Sequence, residues 1–282
     1  MEPSHKRAIG YMLLSTASFS VMNAALKELN HLPSLELVFF RSIGSALIAT
    51  SFLFRNRIPI LGTSRGLLLL RAGLGVAAMS LFFASLKYLP LGLAVSLRYT
   101  APIYAVVFAW FLLQERISAW QAAFLGLAFA GVLIIRGLSP EVDPFGLLLI
   151  LTAALFSGLV YIAIRKIGTG EHPVVVVNYF MVLATLVGGG ATLFNWVPPG
   201  NAMQWALLAS LGVFGYFGQL YMTRAFQIGK TQQVAPFKYA EVLYALLIGM
   251  FFFGEAYSAG SSIGVVCIVT GLVLYASVGT RH

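Results

Sequence analysis

Charge is scarce in this 282-residue sequence: 10% of its residues are Asp, Glu, Lys or Arg, where an ordinary soluble domain carries about 25%. Asp143 is the sole aspartate, and the four histidines (His5, His31, His172 and His282) lie in breaks between apolar runs or near a terminus. Paired aspartate motifs, HExxH, GxSxG and a Walker loop are missing. The chemistry of an intramembrane metalloenzyme, a prenyl-diphosphate-processing enzyme or an ATP-driven pump therefore has no residues to carry it. No enzymatic activity, metal or cofactor is expected, and any transport must draw on a gradient or an exchange. The one cysteine, Cys267, sits inside an apolar run, which excludes an intrachain disulfide and leaves the redox compartment open. Long linkers, low-complexity tracts and room for a soluble domain are also absent.

Apolar residues fill the space: 59% of the chain is hydrophobic and the mean hydropathy is +0.88. A helix needs about 20 apolar residues to cross a hydrocarbon core of about 30 Å. Ten runs reach or approach that length, at roughly 8–27, 35–54, 67–86, 91–113, 119–136, 145–164, 173–194, 203–226, 231–253 and 258–278. Turn chemistry separates most of them, as at Leu32-Pro33-Ser34, Arg57-Ile58-Pro59, Leu89-Pro90, Ser139-Pro140, His172-Pro173 and Pro198-Pro199-Gly200. The first run is longer than the apolar core of a signal peptide, about 7–15 residues, so it reads as a retained helix.

The formal charge of +9 does not point to nucleic acid in so apolar a chain. Threading ten spans from an inner N-terminus puts Lys6, Arg7, Arg55, Arg57, Arg65, Arg116, Arg165, Lys166, Lys230 and Arg281 on one side and Lys27, Lys87 and Arg136 on the other. Such asymmetry across short loops predicts that both termini are cytoplasmic, in a multi-pass protein of a bacterial-type inner membrane.

Sliding the chain against itself by 140 residues aligns Gly75 with Gly215, Tyr99 with Tyr239, Tyr104 with Tyr244, Phe111 with Phe251, Glu115 with Glu255, Ser118 with Ser258 and Gly131 with Gly271. Charged and aromatic coincidences at one offset predict a duplication, with halves at 1–138 and 139–282. Five spans per half is an odd number, so the second half enters from the opposite side. The expected fold is an all-α membrane protein of ten transmembrane helices in two inverted five-helix repeats, forming one transport unit.

Ionisable residues at membrane depth are costly and normally face a cavity or a partner. Arg98 and Lys238 are 140 residues apart, each about 10 Å in from its own end of a span at 1.5 Å per residue. They are predicted to line a central cavity and bind an anionic group. For Lys238 the alternative is an internal ion pair with Glu241 on the same helix face. Tyr99, Tyr239 and Glu241, on the same two spans, and the mid-span amides Asn23 and Gln219 join the expected substrate-binding set. For the amides, interhelical hydrogen bonding is the competing reading. Arg41 is assigned to gating or structure, with substrate binding the alternative; Pro102 and Pro236 are expected to bend their spans, with a ligand-facing role the alternative. Glu115 and Glu255 are expected to cap the helix that follows each of them. Arg71 and Arg224 are expected to snorkel to the interface.

The run Leu89-Pro90-Leu91-Gly92-Leu93-Ala94-Val95-Ser96-Leu97-Arg98, leading to Glu115-Arg116-Ile117-Ser118, resembles the EamA family of the drug/metabolite transporter superfamily. So does Ala235-Pro236-Phe237-Lys238-Tyr239-Ala240-Glu241-Val242-Leu243-Tyr244, leading to Gly254-Glu255. The resemblance covers essentially the whole chain. It implies carriage of a small molecule, since members move amino acids, nucleotide-like compounds, organic acids and drugs. Basic residues at 98 and 238 depart from the mostly neutral centres of many members and point to a carboxylate or phosphate on the substrate. The lysine-bearing ninth span is also similar to that of S-adenosylmethionine uptake carriers, which implies a zwitterion. The expected function is a secondary transporter or exchanger of an anionic or zwitterionic metabolite by alternating access, with a coupling ion or counter-substrate and the lipid bilayer as partners. A membrane scaffold or receptor without transport is the alternative.

Overall fold

The computed structural model describes residues 3–29, 31–89, 91–136, 143–194, 196–254 and 259–278. Among them the chain is helical, without strands. Helices α1 (Pro3–Glu28), α2 (Ser34–Arg55) and α3 (Arg65–Ser85) are followed by a short α4 (Leu91–Arg98), then α5 (Ala101–Leu113) and α6 (Ala119–Arg136). The rest comprises α7 (Pro144–Ile167), α8 (Pro173–Thr192), α9 (Ala202–Ile228), a one-turn α10 (Thr231–Val234), α11 (Ala240–Phe253) and α12 (Ala259–Val278). Seven helical runs, Thr231–Phe253 counted as one, are long and apolar enough to cross a membrane, and three shorter apolar helices accompany them. Together they are the ten runs read from the sequence.

Polar residues in the breaks start the helices. Asp143 accepts a hydrogen bond from the Gly146 amide at 2.7 Å and Asn201 from the Gln204 amide at 2.9 Å. Each satisfies one of the amides that a helix N-terminus leaves free. Proline follows at the first position of α7 and α8, where its missing N–H costs nothing.

The helices pack in cross-chain pairs: α1 along α9, α3 along α7, α2 along α8 and α9, and α6 along α12. Large apolar side chains such as Leu47, Phe111, Trp120, Leu186, Phe251 and Phe252 stand exposed around the bundle. An apolar exterior of this kind suits hydrocarbon contact and would aggregate in water. One close crossing is α2 over α9. A β-carbon built on Gly44 would lie 2.9 Å from the Gly212 backbone, so only glycine lets the two chains approach this near. Ser45 Oγ donates to the Gly212 carbonyl at 2.8 Å across the same contact.

Two of the ten runs are broken rather than bent. Run 91–113 divides at Tyr99–Thr100 into α4 and α5, with the Thr100 amide bonded to the Leu97 carbonyl at 3.0 Å. Run 231–253 divides into α10, a five-residue 3-10 segment Ala235–Tyr239, and α11. Short 3-10 stretches within a span mark tightened, hinge-like backbone. The prolines expected to bend these spans sit at the breaks: Pro102 in the first turn of α5 and Pro236 within the 3-10 segment. Pro236 has no N–H for the carbonyl four residues back, and the Tyr275 hydroxyl donates to that carbonyl, of Gln232, instead. Beyond the breaks, α5 ends on Gln114 and α11 on Gly254, both left-handed, at φ 56° and 61°.

Candidate substrate site at two broken helices

The breaks meet inside the bundle. Tyr99 and Tyr239 face each other edge-on with ring centroids 6.2 Å apart. Tyr239 is fully buried, and its hydroxyl has no hydrogen-bond partner among the described residues. Arg98 is the last residue of α4, and Lys238 lies in the 3-10 segment, so both cations predicted for the centre stand at a break.

Their surroundings differ. Arg98 is exposed. Its guanidinium lies 4.8 Å over the Phe82 ring, and no carboxylate pairs with it among the described residues. Lys238 is buried and ion-paired with Glu241, as the i, i+3 spacing allows. Glu241 Oε1 also accepts a hydrogen bond from Asn23 Nδ2 at 2.9 Å, and Ser20 Oγ donates to the Glu241 carbonyl at 3.0 Å. The exposed Asn23 thus brings α1 to the foot of α11.

Phe19 ties this group to α2: Lys238 Nζ lies 4.2 Å from its ring centroid and the Arg41 guanidinium 5.8 Å. The ring packs against Gly218, where an added β-carbon would sit 2.7 Å from Phe19. Arg41 interacts electrostatically with Arg98, Lys238 and Glu241, and with Arg71 as well. Far from snorkelling, Arg71 is 1% exposed. Gln219 Oε1 accepts its Nη2–H at 2.8 Å, and Phe180 lies 4.4 Å below the guanidinium. Tyr161, stacked on Phe226 at 4.5 Å, also interacts with Arg71, Arg98 and Glu241. Arg41 thus links the cations, interacting with Arg71 on one side and with Arg98 and Lys238 on the other, while Glu241 interacts with Lys238 and Arg41. Arg71, Tyr161 and Phe19 carry no sequence signal: their roles come from packing between distant helices. Arg224, half-buried, reaches the Tyr11 ring at 5.7 Å.

One end of the bundle is closed by polar ties. Glu115 does not cap the helix that follows it: Ser118 and Gln121 do so for α6, with the Ser118 amide 3.0 Å from Gln121 Oε1 and the Gln121 amide 3.2 Å from Ser118 Oγ. Glu115 instead accepts the Gln232 amide of α10 at 3.1 Å and pairs with Arg165 at 3.4 Å. Helix α5 packs against α10, which brings the Glu115 carboxylate to an amide in the first turn of α10. Glu255, its predicted counterpart, lies outside the described residues. Arg165 continues to the Gln227 carbonyl at 3.2 Å, and Gln227 donates to the Glu171 carbonyl at 2.9 Å. Glu171 accepts from the Thr63 amide and hydroxyl, each at 2.6 Å, and from the Ser64 amide. Burial pushes the Glu171 carboxyl up, but these hydrogen bonds outweigh it and hold the group below the usual carboxylate range. At the other end Glu36 Oε2 accepts the Val197 amide at 3.1 Å, and Phe40 packs on Trp196 and Trp205 at 5.8 and 5.7 Å.

Known proteins resemble this chain over nearly its whole length. The sequence is 30% identical to the pseudopaline exporter CntI of Pseudomonas aeruginosa, over 95% of each chain. It is 26% identical to human solute carrier family 35 member G1, over 93% of this chain and 77% of that protein. Identity to the S-adenosylmethionine uptake transporter of Rickettsia prowazekii is 25%, over 99% and 97% of the two chains. A solved crystal structure superposes with a TM-score of 0.87 at 18% identity, covering 97% of this chain and 98% of the other, which establishes the fold. Family-level comparison matches residues 6–137 and again residues 144–277 to one and the same family, and the chain belongs to it: it is an integral, multi-pass membrane protein of the EamA-like transporter family.

Proposed function

We propose that this chain is a secondary carrier that moves a small metabolite bearing a carboxylate or phosphate by alternating access, with Arg98 and Lys238 at the binding site. The observation that carries the reading is the excess of cations at and beside the two breaks: Arg98 and Lys238 stand at them, Arg41 interacts with both, and of these three only Lys238 is ion-paired among the described residues, with Glu241. A charge at membrane depth costs about 2.5–3.5 kcal/mol on insertion scales, and an anionic ligand offsets that cost while it is bound. Broken helices around a central site are the usual architecture of secondary carriers. Glu241 gives a zwitterion such as an amino acid or an S-adenosylmethionine-like compound a partner for its positive group. Among relatives, one is named for exporting pseudopaline and another for S-adenosylmethionine uptake, and both names describe small-molecule cargo.

An inverted repeat with halves at 1–138 and 139–282 belongs to the same reading. One family matches each half, the breaks recur 140 residues apart, and the pairs α1–α9 and α3–α7 exchange roles between halves. The polar ties seal the basic end of the bundle, while Arg98 and Asn23 stay exposed. With both termini cytoplasmic, that end is the inner one.

Uptake of a mixed metabolite pool into proteoliposomes tests the site, using wild type, Arg98→Ala and the charge-neutral double variant Lys238→Gln/Glu241→Gln. Loss of flux of anionic or zwitterionic solutes in both variants is the expected result. Wild-type flux in both removes the proposed site, and no flux of any solute by the wild type removes the carrier reading.

A further inference from the structure

Arg71 and Arg41 pose a separate electrostatic problem. Arg71 is buried to 1% exposure, yet its Nε and Nη1 have no hydrogen-bond partner among the described residues. Arg41 Nε is likewise buried and unpartnered. Both side chains lie over one face of α9, a helical turn apart. A β-carbon on Gly215 would touch Arg41 Cγ at 3.1 Å and Nε at 3.4 Å, and Gln219, four residues on, holds Arg71. Positions four apart on a helix rise about 6 Å along it, so two like charges stand nearly side by side.

Among the described residues no carboxylate forms an ion pair with either one, and Glu241 reaches Arg41 only at longer range. The cluster's one acid, Glu241, is committed to Lys238 and Asn23. Phe180 covers the face of the Arg71 guanidinium, which leaves its edge donors to find an acceptor. Glycine at 215 on α9 and at 75 on α3 lets the two side chains pack close to these helices: a β-carbon on Gly75 would lie 2.9 Å from the Phe180 ring and 3.5 Å from Arg71 Nη1. Buried guanidinium donors of this kind recognise oxyanions.

We propose that Arg41 and Arg71, with Gln219 orienting Arg71, form a second anion subsite distinct from Arg98 and Lys238, so that the carried metabolite has two acidic groups. This rests on the carrier reading above and sharpens its substrate class, from a metabolite with an acidic group to one with at least two. The subsite chemistry is that of an oxyanion. Its source is the second carboxylate or phosphate of the substrate, or a free small anion that accompanies a monoanionic one.

The test is binding of acetate, chloride and the α,ω-dicarboxylates from malonate to adipate to the purified full-length protein at constant ionic strength. It is read by titration calorimetry for wild type, Arg71→Gln, Arg41→Gln and Arg98→Gln. The expected result is a dicarboxylate that binds about tenfold more tightly than acetate. In Arg71→Gln and in Arg41→Gln that advantage falls to about twofold or less, with acetate affinity dropping less than threefold. Two acetate or chloride sites in the wild type, one of them lost in these variants, also support the subsite and assign it to a free anion. An undiminished dicarboxylate advantage in both variants overturns the proposal, as does a wild type that binds none of the series. If Arg98→Gln leaves every affinity unchanged while Arg71→Gln does not, the subsite stands and the assignment of Arg98 fails. Should Arg71→Gln not fold, the half-buried Arg41→Gln decides alone. Gly215→Ala, which crowds Arg41 without removing charge, is expected to reproduce its loss.

Discussion

The two broken spans break 140 residues apart and are opposite in how they treat charge. At the break between α4 and α5, Arg98 is exposed over Phe82 and meets no acid among the described residues. At the break between α10 and α11, Lys238 is buried and neutralised by Glu241, which Asn23 also holds. A buried pair gains little net stability over an apolar isostere, but removing one partner strands the other. The second break is therefore internally balanced, and the first leaves its cation without a carboxylate among the described residues. The same contrast holds for backbone repair. Tyr275 takes the carbonyl that Pro236 leaves free, and the second break has this additional tie to α12.

The largest expected effect comes from separating the buried pair. Lys238→Met leaves Glu241 without its cation and should cost about 3–5 kcal/mol, whereas Arg98→Met should change stability by less than about 1 kcal/mol. Thermal unfolding of the purified protein measures both, and adding Glu241→Gln to Lys238→Met should recover most of the loss. Equal losses for the two single variants would erase the contrast between the breaks. Next is Glu171→Gln at the sealed end, expected to cost about 1.5–3 kcal/mol at neutral pH by weakening hydrogen bonds to a charged acceptor. Because the folded-state carboxyl is held low, this stabilisation is full above about pH 4.3, the ordinary value, and fades as pH falls through the lowered one. The gap between wild type and variant should close in acid. Tyr275→Phe should cost about 1–2 kcal/mol by leaving the Gln232 carbonyl unpaired.

The smallest effect tests the helix ends beyond the breaks. Gln114 pays the left-handed penalty that Gly254 avoids. Gln114→Gly should stabilise by about 0.5–1 kcal/mol, and Gly254→Gln should destabilise by a similar amount. Equal and opposite shifts in unfolding temperature are the expected outcome.

The ten runs, the central place of residues 98 and 238 and the Lys238–Glu241 pair were legible because each follows from local sequence: apolar length, depth along a run and i, i+3 spacing. Prolines 102 and 236 announced a distortion, but a kink and a full break with a 3-10 segment share that signature. Arg71 was misread because depth along one helix says nothing about neighbours. Phe180 of α8 and Gln219 of α9 close over it. Asn23 meets Glu241 through α1–α11 packing, and Glu115 reaches α10 through α5–α10 packing. No local pattern encodes contacts across 218 and 117 residues.

Thermal stabilisation of the wild type and of Arg98→Ala across a metabolite library tests most directly whether the open break holds the ligand, because a ligand that binds the native state raises its apparent stability. The expected result is that stabilising compounds carry a carboxylate or phosphate and that Arg98→Ala, folded and as stable as wild type without ligand, loses their effect. Stabilisation by neutral or purely cationic compounds, or an undiminished response in Arg98→Ala, would contradict it.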